Sequence, residues 1–128
     1  MQDNHLFEYA VIRIVPRVER EEFINAGVIL YCKSLNFLKV KIELNEPRLK
    51  SFPLETEISE LQKNLNAYQQ IAEGHPDAGP IAKLNSAERF RWLTATRSTV
   101  VQSSKVHPGF CKDAMQALDQ LFEQMVRL

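Results

Sequence analysis

Three segments in the first third of the chain have the apolar pattern of β-strands. Residues 6–15 are mostly apolar on both faces, with Arg13 as the exception on one of them, and Pro16 ends the run. Residues 23–32 finish in a continuous apolar run, which is typical of a buried central strand. Residues 37–43 alternate cleanly between apolar and polar side chains, which predicts a half-exposed strand.

Two features modify this strand pattern. Gly27 interrupts the second segment, which indicates a β-bulge or a close approach of another backbone. Much later in the chain, residues 100–106 predict a fourth strand, and Pro108 and Gly109 are expected to turn the chain out of it.

Helical spacing of apolar residues predicts three helices. The longest is expected between residues 56 and 74, with Gly74 as its stop signal. A short helix is expected to end near Leu93, with Asn85 or Ser86 as its N-cap. A last helix begins after Asp113 and continues to the end of the chain.

These elements predict one α+β domain spanning residues 1–128. We expect two layers, in which a mixed or antiparallel sheet of about four strands carries the long central helix and the C-terminal helix. The first two strands should be central because both are apolar on both faces.

Composition narrows the classes of function. Apolar residues make up 45% of the chain and charged residues 25%, which is typical of a globular domain. Sixteen basic residues balance sixteen acidic ones. Zero net charge disfavours a nucleic-acid-binding protein, which usually needs a basic excess, although a local basic patch stays compatible.

The chain shows no sign of secretion or membrane insertion. Cys32 and Cys111 are too few for a disulfide framework, and Cys32 lies in an apolar run that predicts a buried thiol. No apolar run approaches the roughly 20 residues of a membrane helix. No signal peptide is evident at the N-terminus, so we expect a cytoplasmic protein. Val126 and Leu128 either dock on their own domain or form a homodimer contact through the C-terminal helix.

The densest set of candidate ligand-binding side chains lies in residues 86–107, which also contain the only tryptophan. Guanidinium groups match phosphate and carboxylate geometry, and hydroxyl groups add further donors. This composition predicts an anion-binding or phosphate-binding surface. The alternative is that the arginines pair with Glu88 or with glutamates of residues 19–22. The candidates are Arg89, Arg91, Arg97, Ser98 and His107.

Two polar side chains interrupt the apolar strands. Arg13 and Asn25 are expected on adjacent strands, where they either face a ligand or form a buried network that sets the sheet register. His107 could act as an acid or base. The histidines and cysteines lack zinc-site spacing, and the glycines form no phosphate loop, so we expect no metal and no cofactor.

Two motifs carry a resemblance to a known family. One is Y-A-V-I-R-I-V-P at residues 9–16, continued by E-F-I-N-A-G-V-I-L at residues 22–30. The other is E-R-F-R-W-L-T-A-T-R-S-T-V-V-Q at residues 88–102. Together they resemble the domain of unknown function 3037 family of short bacterial proteins, over nearly the whole chain. Where relatives often show Asn-Val-Gly and Ala-Pro-Arg-Ser, this chain has Ala26 and Thr96 in the variable positions.

The resemblance implies no activity and no cofactor. It does imply a candidate partner, because genes of this family often neighbour those of proteins resembling HipA-type kinases. We therefore expect a non-enzymatic binding or accessory module that acts with another protein. Its expected recognition surface consists of Arg13, Asn25, Arg89, Arg91, Arg97 and Ser98.

The alternative is an enzyme or sensor that binds a phosphorylated or nucleotide-like ligand. Arg89 and Arg97 would hold the anion, and His107 would transfer a proton. This alternative requires Arg97, Ser98 and His107 in one concave pocket. Both hypotheses remain open at the level of sequence.

Overall fold

The computed structural model describes residues 4–127. An antiparallel sheet and four α-helices account for most of this part of the chain. The strands are β1 (His5–Ile14), β2 (Ile24–Cys32), β3 (Phe37–Ile42), β4 (Val101–Ser103) and β5 (His107–Cys111). The helices are α1 (Glu46–Leu49), α2 (Ile58–Ala72), α3 (Ser86–Leu93) and α4 (Ala114–Met125).

The two apolar strands lie at the centre of the sheet, as predicted. β1 pairs with β2, and β2 pairs with β3, which forms one edge. The other side of β1 is shared, because β4 pairs with its end at residues 12–14 and β5 pairs with its start at residues 5–9. The sheet therefore has five strands in place of the expected four or so.

The prediction of one continuous fourth strand at residues 100–106 was wrong. Ser104 interrupts it, since its backbone N–H donates to the Val11 carbonyl and its hydroxyl accepts from the Val11 N–H, both at 2.8 Å. The expected turn at Pro108 and Gly109 is instead part of β5. An edge strand tolerates proline, and a Cβ at Gly109 would lie 2.4 Å from the Phe7 ring, so glycine lets that ring cross the strand.

A β-bulge confirms the expectation for the Gly27 region. Ile12 faces Gly27 but Arg13 faces Asn25, so β2 contains one extra residue, Ala26. Gly27 also allows a close backbone approach, because a Cβ there would lie 2.6 Å from the Lys41 carbonyl oxygen. The extra residue is what places Asn25 on the same face of the sheet as Arg13.

The α+β class and the two helices packed on the sheet are confirmed, but the number of layers needs correction. α2 and α3 cover the face of the sheet that includes Ile12 and Ile29, whereas α4 covers the face that includes Val28 and Leu30. Three layers result because β1 and β2 are apolar on both faces, and each face must be buried.

Local signals position the helix ends. The Asn85 side chain accepts from the Glu88 N–H at 2.9 Å, and Asp113 accepts from two N–H groups at the start of α4. Gly74 has a φ of 70° just beyond α2. Val126 is buried beside α4, so it docks on its own domain and is not exposed for a dimer contact, while Leu128 lies outside the described residues. None of the helices in residues 4–127 is both long and apolar enough to cross a bilayer.

Candidate functional site

The buried face of helix α3 determines where its arginine and tryptophan side chains point. Phe90 and Leu93 are almost completely buried, and the Phe90 ring stacks on Tyr31 of β2 with ring centroids 5.4 Å apart. Helical geometry then directs Arg91 and Trp92 away from the core. The two arginines at positions 89 and 91 therefore point to different surroundings.

Arg89 is a structural side chain that joins two helices. Its Nε donates to the carbonyl of Ala72, the last residue of α2, at 3.2 Å, and one terminal nitrogen donates to the Leu84 carbonyl at 2.6 Å. The other terminal nitrogen lies 3.4 Å from the Ser86 hydroxyl. These bonds satisfy carbonyls that a helix end leaves unpaired and place a positive charge at the negative end of α2.

Arg91 is exposed and lies apart from the other candidates. It lines a small cavity with residues of the β1 and β2 ends, among them Glu8 and Lys33. Neither Arg89 nor Arg91 lines the groove that contains Arg97. The expected single surface made from all the arginines of residues 86–107 is therefore not formed.

An open groove of about 690 Å³ runs between α2, the end of α3 and the segment that leads into β4. Its walls are largely apolar, and Arg97 supplies the charge among the described residues that line it. Ser98 lies in the same lining, so the structure brings these two predicted residues together. The lining residues are Val18, Asn64, Ala67, Tyr68, Ile71, Trp92, Leu93, Arg97, Ser98, Thr99, Val100 and Val101.

Arg97 lies over the ring of Trp92, the only tryptophan of the chain. Its guanidinium carbon is 4.0 Å from the centroid of the Trp92 ring, and one terminal nitrogen donates to the Trp92 carbonyl. Trp92 itself is 39% exposed. Within the described residues the other donors of this guanidinium make no hydrogen bond, so they are available to a ligand.

Tyr68 forms the buried side of this groove. Its hydroxyl donates to the Leu93 carbonyl at 2.7 Å. Burial raises the pKa of Tyr68 far above its usual value, and nearby Arg97 lowers it only partly. The phenol therefore stays protonated and acts as a fixed hydrogen-bond donor, so it is unsuited to take a proton from a substrate.

Arg13 and Asn25 are adjacent, as predicted, but on the α4 face of the sheet. The Asn25 amide donates to the Met125 carbonyl at 2.9 Å. The Arg13 guanidinium lies 4.0 Å from the centroid of the Phe23 ring and lines a cavity of about 160 Å³ with Val15, Val18, Glu21, Phe23 and Gln102. Val18 lines both this cavity and the groove, so the two lie on either side of it.

His107 lies outside both sites. It begins β5, where it pairs with Tyr9 and its ring lies 5.5 Å from the Tyr9 ring. Tyr9 is on the α4 face, whereas Arg97 and Ser98 are on the α2 face. The single pocket of Arg97, Ser98 and His107 that the enzyme hypothesis requires is not present.

The alternative pairing of the arginines with glutamates is also not observed at residues 89 and 97. Arg89 and Arg97 donate to backbone carbonyls, whereas the glutamates at positions 19 and 22 pair with arginines in their own segment. Within residues 4–127, no three His, Cys, Asp or Glu side chains are grouped so that they could hold a metal ion.

Sequence reasoning missed three contributors to these sites. Tyr68 lies within the predicted long helix, but neither it nor Phe23 nor Val18 was among the candidate residues. A large aromatic side chain at the start of a strand, directly after a charged connector, is a signal that could have indicated Phe23. Val18 carried no such signal, because its place between the sites depends on how residues 15–23 fold.

The comparison with known proteins identifies a family but no function. No curated protein and no solved structure matches the chain. Residues 9–126 match the model of the family described as "Protein of unknown function (DUF3037)". The match includes both motifs on which the resemblance was based. The chain therefore belongs to the DUF3037 family.

Proposed function

We propose that this chain is a non-enzymatic binding module that holds a segment of another protein in the groove between α2 and α3. Arg97 is the charged contact in this proposal, and Trp92 is the aromatic one. The observation that carries the proposal is the arginine–tryptophan stack at the mouth of an open, mostly apolar groove.

The composition of the groove supports a protein ligand. Tryptophan, tyrosine and arginine are the side chains that most often dominate the binding energy of protein interfaces. Here all three meet, and the guanidinium already contacts the ring and the carbonyl of Trp92 within this chain. Less side-chain entropy is then lost on binding.

Charge complementarity defines the segment that fits. Arg97 favours an acidic side chain or a terminal carboxylate, since a guanidinium pairs with a carboxylate through two parallel hydrogen bonds. The apolar walls formed by Ile71, Leu93 and Val100 favour aliphatic or aromatic neighbours of that acid. We therefore propose an acidic residue flanked by apolar residues.

The proton-transfer chemistry of the groove favours binding over catalysis. Tyr68 is committed to the Leu93 carbonyl, and His107 lies on the other face of the sheet. None of the described residues that line the groove is a histidine, so the lining offers no such base to activate the hydroxyl of Ser98 as a nucleophile. A phosphorylated ligand held by Arg97 and Ser98 is the second candidate, and it would be bound without turnover.

A protein resembling HipA-type kinases is the first partner to test, on the basis of the family resemblance alone. A photo-crosslinking residue at Ala67, which is exposed and lines the groove, should form an adduct with the partner. The same residue at Glu123, exposed on α4, is the control. Equal yields at both positions, or none at position 67 with a partner that binds, would contradict the proposal.

Charge reversal tests the chemistry of the same contact. Arg97→Glu should weaken binding of the crosslinked segment about tenfold or more, because it replaces attraction to an acid with repulsion. Arg91→Glu makes the same charge change on the neighbouring helix but outside the groove, and it should leave affinity unchanged. An acid-to-lysine change in the segment should restore binding to Arg97→Glu.

A further inference from the structure

Arg13 is a charged side chain in an apolar strand, and its hydrogen-bonding capacity is not used. Its Nε is buried and has no hydrogen-bond partner among the described residues. A guanidinium is always protonated, so this position holds a permanent positive charge with an unsatisfied donor. Leaving such a donor buried is costly unless something else satisfies it.

The surrounding side chains hold this donor in place without occupying it. The face of the guanidinium is packed on Phe23, with 4.0 Å between the guanidinium carbon and the ring centroid. Gln102, opposite Arg13 on β4, donates its amide to the Thr99 carbonyl at 2.7 Å. Asn25, opposite Arg13 on β2, donates to Met125. The amide N–H groups of both neighbours thus donate elsewhere, while the side-chain oxygen of Asn25 is buried without a partner among the described residues.

The only carboxylate in the cavity lining does not neutralise Arg13. Glu21 lines the same cavity, but the two side chains form no ion pair within 4.0 Å in the described structure. Glu21 also has a φ of 58°, a left-handed conformation that is unfavourable for a side chain other than glycine. Among the described residues, no other acid lines this cavity.

The backbone at this site is irregular in a way that directs side chains. The β-bulge at Ala26 lies between the partners of Ile12 and Arg13. Bulges change the direction of neighbouring side chains and occur often beside binding sites. Arg13 and Phe23 line one cavity of about 160 Å³, and the bulge lies in the strand paired with Arg13.

We propose that the Arg13 cavity is an oxyanion-binding site, in which Nε and a terminal nitrogen of Arg13 donate to two oxygens of a carboxylate or phosphate group. Side-on pairing of this kind uses one edge of the guanidinium and leaves its face on Phe23. Glu21 across the cavity disfavours a doubly charged anion, so a carboxylate is the favoured group. This site is separate from the groove and does not require that the groove bind a protein.

The experiment is a titration of the wild-type protein followed by NMR of the arginine Nε–H resonances. Sodium acetate, sodium phosphate and sodium chloride are added separately at constant ionic strength. The proposal predicts a saturable shift of the Arg13 resonance with acetate, or with phosphate if that is the natural group. The Arg20 resonance is the control, since its Nε already donates to Glu22 at 2.7 Å.

Two variants test the roles of the named groups. Arg13→Lys should weaken anion binding about tenfold or more, because an ammonium cannot form the side-on pair. Glu21→Gln lies in an exposed turn and should tighten binding roughly two- to fivefold by removing a like charge. An Arg13 resonance that shifts no more than that of Arg20 with every salt would overturn the proposal. A tighter-binding Arg13→Lys, or a weaker-binding Glu21→Gln, would also overturn it.

Discussion

Arg89 and Arg97 lie eight residues apart in the same segment, yet their guanidinium groups differ in how many hydrogen bonds they make within the protein. Arg89 donates to two backbone carbonyls and approaches a hydroxyl, and it joins the end of α2 to the start of α3. Arg97 donates to one carbonyl and presents the rest of its guanidinium over Trp92 at an open groove. Arg89 therefore stabilises the fold, whereas most donors of Arg97 remain available to a ligand.

The difference shows that the hydrogen-bond partners of an arginine separate structure from recognition better than its position in a motif does. Both arginines belong to the segment that carries the family resemblance. Removing Arg89 should leave carbonyls unpaired, and unpaired buried groups reduce stability. Removing Arg97 should expose a groove wall and leave the fold nearly unchanged.

The largest expected effect follows from breaking the Arg89 contacts. Arg89→Met should lower the free energy of unfolding by about 2–3 kcal/mol, because bonds to a charged group are lost and the Ala72 and Leu84 carbonyls lose their donor. Arg91→Met, an equal change at an exposed neighbouring position, should stay within about 0.5 kcal/mol. Urea denaturation measures both. Similar decreases in the free energy of unfolding of the two variants would contradict the structural role of Arg89.

A smaller effect is expected at Tyr68, which lies below Arg97. Tyr68→Phe should lower the free energy of unfolding by about 1–2 kcal/mol, because the buried Leu93 carbonyl loses its donor at 2.7 Å. Thermal and urea unfolding should agree in the direction of the change. A variant as stable as the wild type would show that water or another group replaces the phenol.

The same residue makes stability depend on alkaline pH. Burial raises the folded-state pKa of Tyr68, so its contribution is fully present below the unfolded pKa of about 10 and declines as pH rises above it. The free energy of unfolding of the wild type should therefore fall more steeply than that of Tyr68→Phe, by up to about 1.4 kcal/mol per pH unit. Parallel pH profiles would contradict this assignment.

A substitution at Gly74, just beyond α2, tests the contact between the end of α2 and Arg89. Gly74→Ala should cost about 1 kcal/mol, because a φ of 70° is unfavourable for alanine and the new Cβ would lie 3.4 Å from the Arg89 guanidinium carbon. In the Arg89→Met background the cost should fall if part of it comes from that contact. A double-mutant cycle by urea denaturation separates the backbone part from the contact part.

The smallest effect on stability is expected at Arg97. Arg97→Ala should change the free energy of unfolding by less than about 1 kcal/mol, since an exposed cation–π contact contributes little. The fluorescence of Trp92, the only tryptophan, should nevertheless change because the guanidinium is removed from its face. A large loss of stability would show that Arg97, like Arg89, has a structural role, and it would contradict this prediction.

Much of the fold could be predicted because periodicity reports burial directly. The apolar faces of β1 and β2 predicted their central place in the sheet, and Asp113 and Gly74 marked helix ends. The number of layers was missed because periodicity does not say which helix covers which face. Pro108 and Gly109 were misread as a turn, since only their neighbours, Phe7 above all, show why they suit an edge strand.

The candidate residues were harder to place than the strands. Residue type correctly indicated which side chains can bind an anion, but the partners of Arg89 are backbone carbonyls, and carbonyls are invisible in a side-chain pattern. Arg13 and Asn25 were predictable as neighbours because both interrupt apolar strands. Both lie on the opposite face of the sheet from Arg97, and for Asn25 this depends on strand register, which the bulge at Ala26 alters.

The distinction between the two arginines is tested most directly by the hydrogen exchange of their Nε–H groups with water in the wild-type protein. Arg89 Nε donates to the Ala72 carbonyl at 3.2 Å, so its proton should exchange slowly. Arg97 bonds through a terminal nitrogen only, so its Nε proton should exchange much faster. Equal protection of the two protons, or greater protection of Arg97, would contradict the account.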